Sequence, residues 1–239
     1  MYRNLDAQRI VETSHLLQQR VAERFPDSGL SRVSSELLSV VEESSGFIQW
    51  LRAPNWPIRI FVWFGALAIV AIFCGTILTV SGKEAFATWA EFFQGMDAAI
   101  NDVVFVGIGI YFLLSIETRL KRKRALRALH VLRSIAHIID MHQLTKDPER
   151  TMGGTHNTQS SPKRVMTPFE LTRYLDYCSE MLSITSKLAA LYVQHFNDPI
   201  TLAAVNEVEN LTSGLSRKIW QKIMILDHVI APKSNANAG

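Results

Sequence analysis

Four side chains on one predicted helix hold the best prospect of chemistry in this sequence. His130, Arg133, His137 and Asp140 recur at i, i+3, i+7 and i+10, a spacing that sets all four on one helical face, while His142 falls on another. Imidazole and carboxylate are metal-ligand types, so His130, His137 and Asp140 make a weak candidate metal site. An ion there would need further ligands from a second helix, and no HExxH pattern supplies a ready pair. A polar stripe, solvated or satisfied by helix contacts, accounts for the same residues more simply. His15, His156, His195 and His228 are scattered and add little.

Other catalytic constellations are missing from the pattern. Gly153 and Gly154 have no preceding strand and no following Lys-Ser/Thr, so they do not form a phosphate loop. Cys74 and Cys178 are the only cysteines, one in an apolar run and one in an amphipathic segment. Their placement argues against a structural disulfide or a metal cluster, and Cys178 reads as core filler. The expectation is a protein that is not an enzyme and takes no cofactor.

The densest charge is Arg119, Lys121, Arg122, Lys123, Arg124 and Arg127. Without interleaved aromatics it lacks the stacking surface of a single-strand binder, and nucleic acid is not expected as a partner. Its position directly after an apolar run suits a different task, fixing that end of the run on the cytoplasmic side and touching lipid headgroups. The net charge of +3 over 239 residues hides this asymmetry. Residues 1–56 carry six Lys/Arg against seven Asp/Glu, residues 57–117 carry two against five, and residues 118–239 carry seventeen against ten.

These groups must be positioned by helices, since no β alternation competes anywhere in the chain. From Ile58 to Val80 the only charge is Arg59, at the extreme end, and 23 residues suffice to cross a hydrocarbon core of about 30 Å. Trp50, Trp56 and Trp63 suit an interface, and Pro54 and Pro57 are tolerated at a helix start. The second run, Ala98 to Ile116, is interrupted early by Asn101 and Asp102. A return path for the first span and the basic cluster beyond its end favour a second crossing. The predicted layout is a transmembrane helix at 57–80, a short acidic extracytoplasmic loop at 81–97 and a second transmembrane helix at 98–117. Phe86, Trp89 and Phe93 in the loop form an aromatic face suited to the outer interface, with a partner site as the other reading. Asp102 falls in the first turn of the second span, where a solvated helix end competes with a buried ion-carrying carboxylate. Gly65, Ala68, Ala71 and Gly75 give the first span a small-residue face for helix packing, either against Gly107 and Gly109 of the second span or between copies.

Before the spans, residues 1–56 should hold two cytoplasmic helices at about 5–25 and 31–51, with Pro26 to Gly29 as the turn between them. After them come a basic helix at 118–145, into which the second span can run on without a break to about Leu144, a flexible loop at 146–167, a helical hairpin at 168–231 and a disordered tail at 232–239. Thr167, Pro168 and Glu170 read as a capping box with proline at the first helical position. The following helix carries two adjacent heptad stripes, one through Leu171, Leu175, Cys178 and Leu182 and one through Tyr174, Tyr177, Met181 and Ile184. Such a helix demands partners on several sides.

The fold class expected is an all-α membrane protein, a two-helix transmembrane hairpin with a cytoplasmic helical bundle. The functional expectation is a non-enzymatic, membrane-anchored scaffold or interaction protein, whose partners are the lipid bilayer and a second copy or another membrane protein. An oligomeric ion channel or transport subunit, its path lined by Asn101, Asp102, Tyr111 and Ser115, is the alternative. A metal or pH sensor on the His130 stripe is a third idea. A bacterial inner membrane, crossed twice with both termini in the cytoplasm, is the expected location.

Overall fold

The computed structural model describes residues 4–81, 89–146, 148, 166–194 and 196–235. Among them there is no strand, and six helices follow in order: α1 (Ala7–Arg24), α2 (Gly29–Arg52), α3 (Trp56–Ser81), α4 (Trp89–Leu144), α5 (Pro168–Gln194) and α6 (Pro199–Asn235).

Short polar side chains start these helices. The Asp6 carboxylate accepts from the Gln8 amide at 2.9 Å, satisfying a donor that α1 itself cannot. Between α1 and α2 the chain reverses through Asp27 at φ 56°, a left-handed conformation that Asp tolerates better than most residues. The Thr167 hydroxyl accepts from the Glu170 amide at 3.2 Å while the Glu170 carboxylate accepts from the Thr167 amide at 2.7 Å, a reciprocal box at the head of α5. At the head of α6, Asp198 accepts from both the amide and the hydroxyl of Thr201, at 2.9 and 2.8 Å.

The chain divides into two compact units, residues 1–52 with 124–239, and residues 53–123. In the first, α5 is the central helix. Its thirteen buried side chains exceed what one partner could cover, and burying each large one is worth roughly 1.5–3 kcal/mol, so several helices gather round it. Both heptad stripes are buried from Leu171 to Tyr192. Helix α1 runs antiparallel to α5, with Leu5 bonded to Gln194 near one end and Arg20 paired with Glu180 further along. Helix α2 runs with α5: Phe25 packs edge-on against Tyr174 before it begins, and Phe47 against Tyr192 near its end. On α4, Ala125, Leu129, Leu132, Ala136 and Ile139 are buried, while Val131 and Ile138 lie exposed. On α6, Val205, Val208, Thr212, Leu215, Ile219 and Leu226 face the core. The two N-terminal helices thus share one continuous core with α5, α6 and the later part of α4.

Two boundaries depart from the sequence reading and one agrees with it. The loop expected at 81–97 is helical from Trp89, because between Trp89 and Asp97 only Gly95 opposes a helix. The second apolar run and the basic segment are one uninterrupted helix from Trp89 to Leu144, the continuation that the sequence allows. The tail expected to be disordered from 232 is still helical to Asn235, while residues 236–239 lie outside the described residues. Phe86 and the segment 149–165, which holds most of the loop expected at 146–167, also lie outside them.

Candidate functional site

The second unit holds a pair of helices that face each other along one seam, with many of their large described side chains exposed outside it. Along α3 the seam is Val62, Gly65 and Ile69, and along α4 it is Gly109 and Leu113. A Cβ added at Gly65 would stand 3.2 Å from a Leu113 methyl, and one at Gly109 would stand 3.6 Å from an Ile69 methyl. As α3 advances from 59 to 65 to 69, its neighbours on α4 recede from 117 to 113 to 109, so the helices are antiparallel. Both are long and apolar enough to cross a membrane. Their outward side chains are large and uncovered: Phe105 is 72% exposed, Tyr111 70% and Trp63 69%. An apolar surface of this extent on a polypeptide calls for an apolar solvent or a partner.

At one end the seam closes with charge. Glu117 is the centre: one carboxylate oxygen accepts from the Arg59 Nε at 2.8 Å, and the other meets the Lys121 ammonium at 3.0 Å and the Asn55 amide at 3.3 Å. Lys121 also donates to the Ala53 carbonyl at 2.9 Å. Ala53 and Asn55 belong to the irregular turn before α3, so Lys121 and Glu117 pin that turn to α4. The cluster is largely shielded, with Glu117 and Lys121 side chains 15% and 9% exposed, whereas Arg59 remains 51% exposed. Burial of this kind raises the cost of removing either partner, since the survivor would keep its charge without compensation. Beside it opens a cleft of about 260 Å³ lined by Ile58, Arg59, Val62, Trp63, Leu114 and Glu117.

The basic residues expected at lipid headgroups are therefore not equivalent. Lys121 is buried in the Glu117 cluster, where its ammonium meets Glu117 and donates to the Ala53 carbonyl. Arg119 lies over the Phe112 ring at 4.9 Å and Arg124 over the Trp50 ring at 4.4 Å, both cation–π contacts that leave the guanidinium exposed. Lys123 and Arg127 are exposed and Arg122 is half-buried.

The small-residue face splits in the same way. Gly65 sits in the seam, whereas Ala68, Ala71 and Gly75 are exposed and a Cβ on Gly75 would meet nothing within 4 Å. The residues that touch α4 lie at 62, 65 and 69, about a third of a turn from the row at 68, 71 and 75.

The His130 stripe is not assembled into a site. His130 and His137 are exposed, Arg133 pairs with Glu207 on α6 at 3.4 Å, and Asp140 accepts from Gln143 at 2.6 Å. His142 lies instead against Gly29, where an added Cβ would meet its imidazole. Glu12 and His15 on α1 have the ExxH spacing, yet both are exposed, and no group of three or more ligand-type side chains gathers among the described residues. Cys178 is buried, which pushes its thiol up to about 12 and leaves little thiolate at neutral pH. Asp102 and Tyr111 are exposed, and Ser115 donates to its own helix at the Phe112 carbonyl.

Sequence reasoning missed the Glu117 cluster, although a signal for it exists. Glu117 is the only acid among residues 53–63 and 114–123, against Arg59, Arg119, Lys121, Arg122 and Lys123. No protein-family model matches the chain, and comparison with curated proteins and with solved structures gives no match.

Proposed function

We propose that the chain is a non-enzymatic, membrane-anchored scaffold: α3 and the apolar part of α4 cross a bilayer as a hairpin, and the remaining helices form a cytoplasmic bundle. The observation that carries this reading is the outward apolar surface of the hairpin, for which lipid is the cheapest solvent. Exposed Lys123, Arg124 and Arg127 follow directly after the second crossing, and retention of positive charge on the inner side orients both termini to the cytoplasm. The bacterial inner membrane is the proposed home.

Self-association belongs to the same proposal. The stripes of α5 do not support it, since α1, α2, α4 and α6 already cover them. Two other rows do. Ala68, Ala71 and Gly75 offer an exposed small-residue row on α3, where a second hairpin could approach closely. Val131, Ile138 and Met141 repeat at steps of seven and three on the exposed side of α4, the latter 65% exposed. The test is flotation with liposomes through an alkaline carbonate wash, followed by crosslinking in the membrane. Resistance to the wash with a self-crosslink abolished by Ala71→Leu is expected. Release into the wash would overturn the anchor, and an uncrosslinked monomer would overturn the scaffold.

A further inference from the structure

We propose that the cleft between Arg59, Trp63 and Glu117 is a binding site for the phosphodiester of one anionic diacyl phospholipid. The inference rests on the membrane reading above and adds a defined ligand to it.

In residues 53–63 and 114–123 one acid, Glu117, stands against five cations, and the Arg59 guanidinium that it holds stays half exposed beside apolar walls. Lys121 and Glu117 are nearly covered, and Arg59 carries the remaining exposure. Its Nε donates to Glu117, which holds the guanidinium at the cleft, and among the described residues no other acid pairs with it. Planar paired donors of that kind match the two non-bridging oxygens of a phosphodiester. The Asn55 side-chain nitrogen is buried without a hydrogen-bond partner, a further donor in want of an acceptor at this end of the hairpin.

The walls name the rest of the ligand. Ile58, Val62, Trp63 and Leu114 are apolar and continue into the outward surface of the hairpin, a path for acyl chains rather than for a free anion. A volume of about 260 Å³ holds a headgroup with its glycerol and the first methylenes, not a whole lipid. A zwitterionic headgroup would bring its ammonium beside the Arg59 guanidinium, so a headgroup with no cation is preferred.

Native mass spectrometry of the full chain, released from mild detergent after titration with phosphatidylglycerol, phosphatidylcholine or inorganic phosphate, tests this. One phosphatidylglycerol should be retained in preference to phosphatidylcholine, and its affinity should fall roughly tenfold in Arg59→Gln, the loss of a charge-assisted contact. Glu117→Gln should instead tighten it, a direction that misfolding cannot imitate. Arg217→Gln on α6 controls for loss of charge alone and should change nothing. Equal retention by all four proteins, or an equal loss in Lys123→Gln, would reduce the site to diffuse surface charge and overturn the proposal. Displacement of the lipid by millimolar phosphate would overturn it in favour of a free anion. Chain that stays soluble without detergent would instead sink the membrane reading, a distinct outcome.

Discussion

The hydrogen bond between Ser44 and Tyr192 ties α2 to the central helix and makes a sharp prediction. The two hydroxyls are 2.7 Å apart and buried, and Ser44 also donates to the Val40 carbonyl at 2.6 Å. The Ser44 hydroxyl therefore has a second partner in its own helix, and among the described residues Tyr192 has none to fall back on. Tyr192→Phe removes a bond and leaves Ser44 satisfied, a loss of about 1 kcal/mol. Ser44→Ala strands a phenol that is 1% exposed, and the desolvation left uncompensated makes that about 2 kcal/mol. The double variant should lose about 1 kcal/mol, well short of the sum, because no polar group is then stranded. Denaturant unfolding of full-length protein in detergent, followed by fluorescence of Trp50, which stacks on Phe47 in the same cluster, reads all three. Burial also raises the Tyr192 hydroxyl above its ordinary 10.0, the Ser44 bond offsetting part of this. The folded state thus holds that proton more tightly than the unfolded state, so wild-type stability should fall as pH rises past 10.0 and that fall should shrink in Tyr192→Phe. Additive single and double variants, or a larger loss from Tyr192→Phe than from Ser44→Ala, would refute the reasoning.

Three further outcomes follow from local geometry. Gly214 sits within α6 with nothing inside 4 Å of an added Cβ, so Gly214→Ala should stabilise the bundle by about 0.5–1 kcal/mol in the same unfolding assay. Thr167→Ala should cost about 1 kcal/mol through loss of the α5 cap. The Thr167 amide and hydroxyl hold the Glu170 carboxyl below its usual range, so the capping contribution should be complete above pH 4.5 and lost as pH falls through the lowered value; the stability gap to Glu170→Ala, followed against pH, checks the sign. Cys178, studied in a Cys74→Ser background, should resist iodoacetamide at pH 8 until denaturant exposes it, as mass spectrometry would report.

Much of the helical framework is legible in the residues themselves. Thr-Pro-Phe-Glu at 167–170 announces a helix start by local chemistry, and the capping bonds follow from that spacing alone. The double stripe of α5 states how many sides the helix must bury, and the structure supplies α1 and α2 as cover. What the pattern does not carry is the azimuth of one helix against another. Ala68, Ala71 and Gly75 form a fine small-residue row, yet Val62, Gly65 and Ile69 meet α4, because the seam is chosen by the whole packed pair. The His130 stripe fails for the same reason: its face turns to solvent and to Glu207, not to another set of ligands. Lys121 looks like its basic neighbours in sequence and differs only because Glu117 lies one turn before it on the same face. The Arg59–Glu117 pairing lies close to what the midpoint of the 81–97 loop implies: residue 59 stands 30 residues before residue 89, and residue 117 stands 28 after it.

The most direct test of the account places spin labels on the outward faces of the hairpin, at Phe64, Ile72, Phe105 and Ile108, with Lys218 on α6 as the exposed reference, in full-length protein reconstituted into liposomes. Collision rates with oxygen, which partitions into lipid, and with a polar nickel chelate, which does not, are then compared at each position. The account predicts that oxygen dominates at all four hairpin sites and the chelate at Lys218. Chelate access at the hairpin sites equal to that at Lys218 would contradict it.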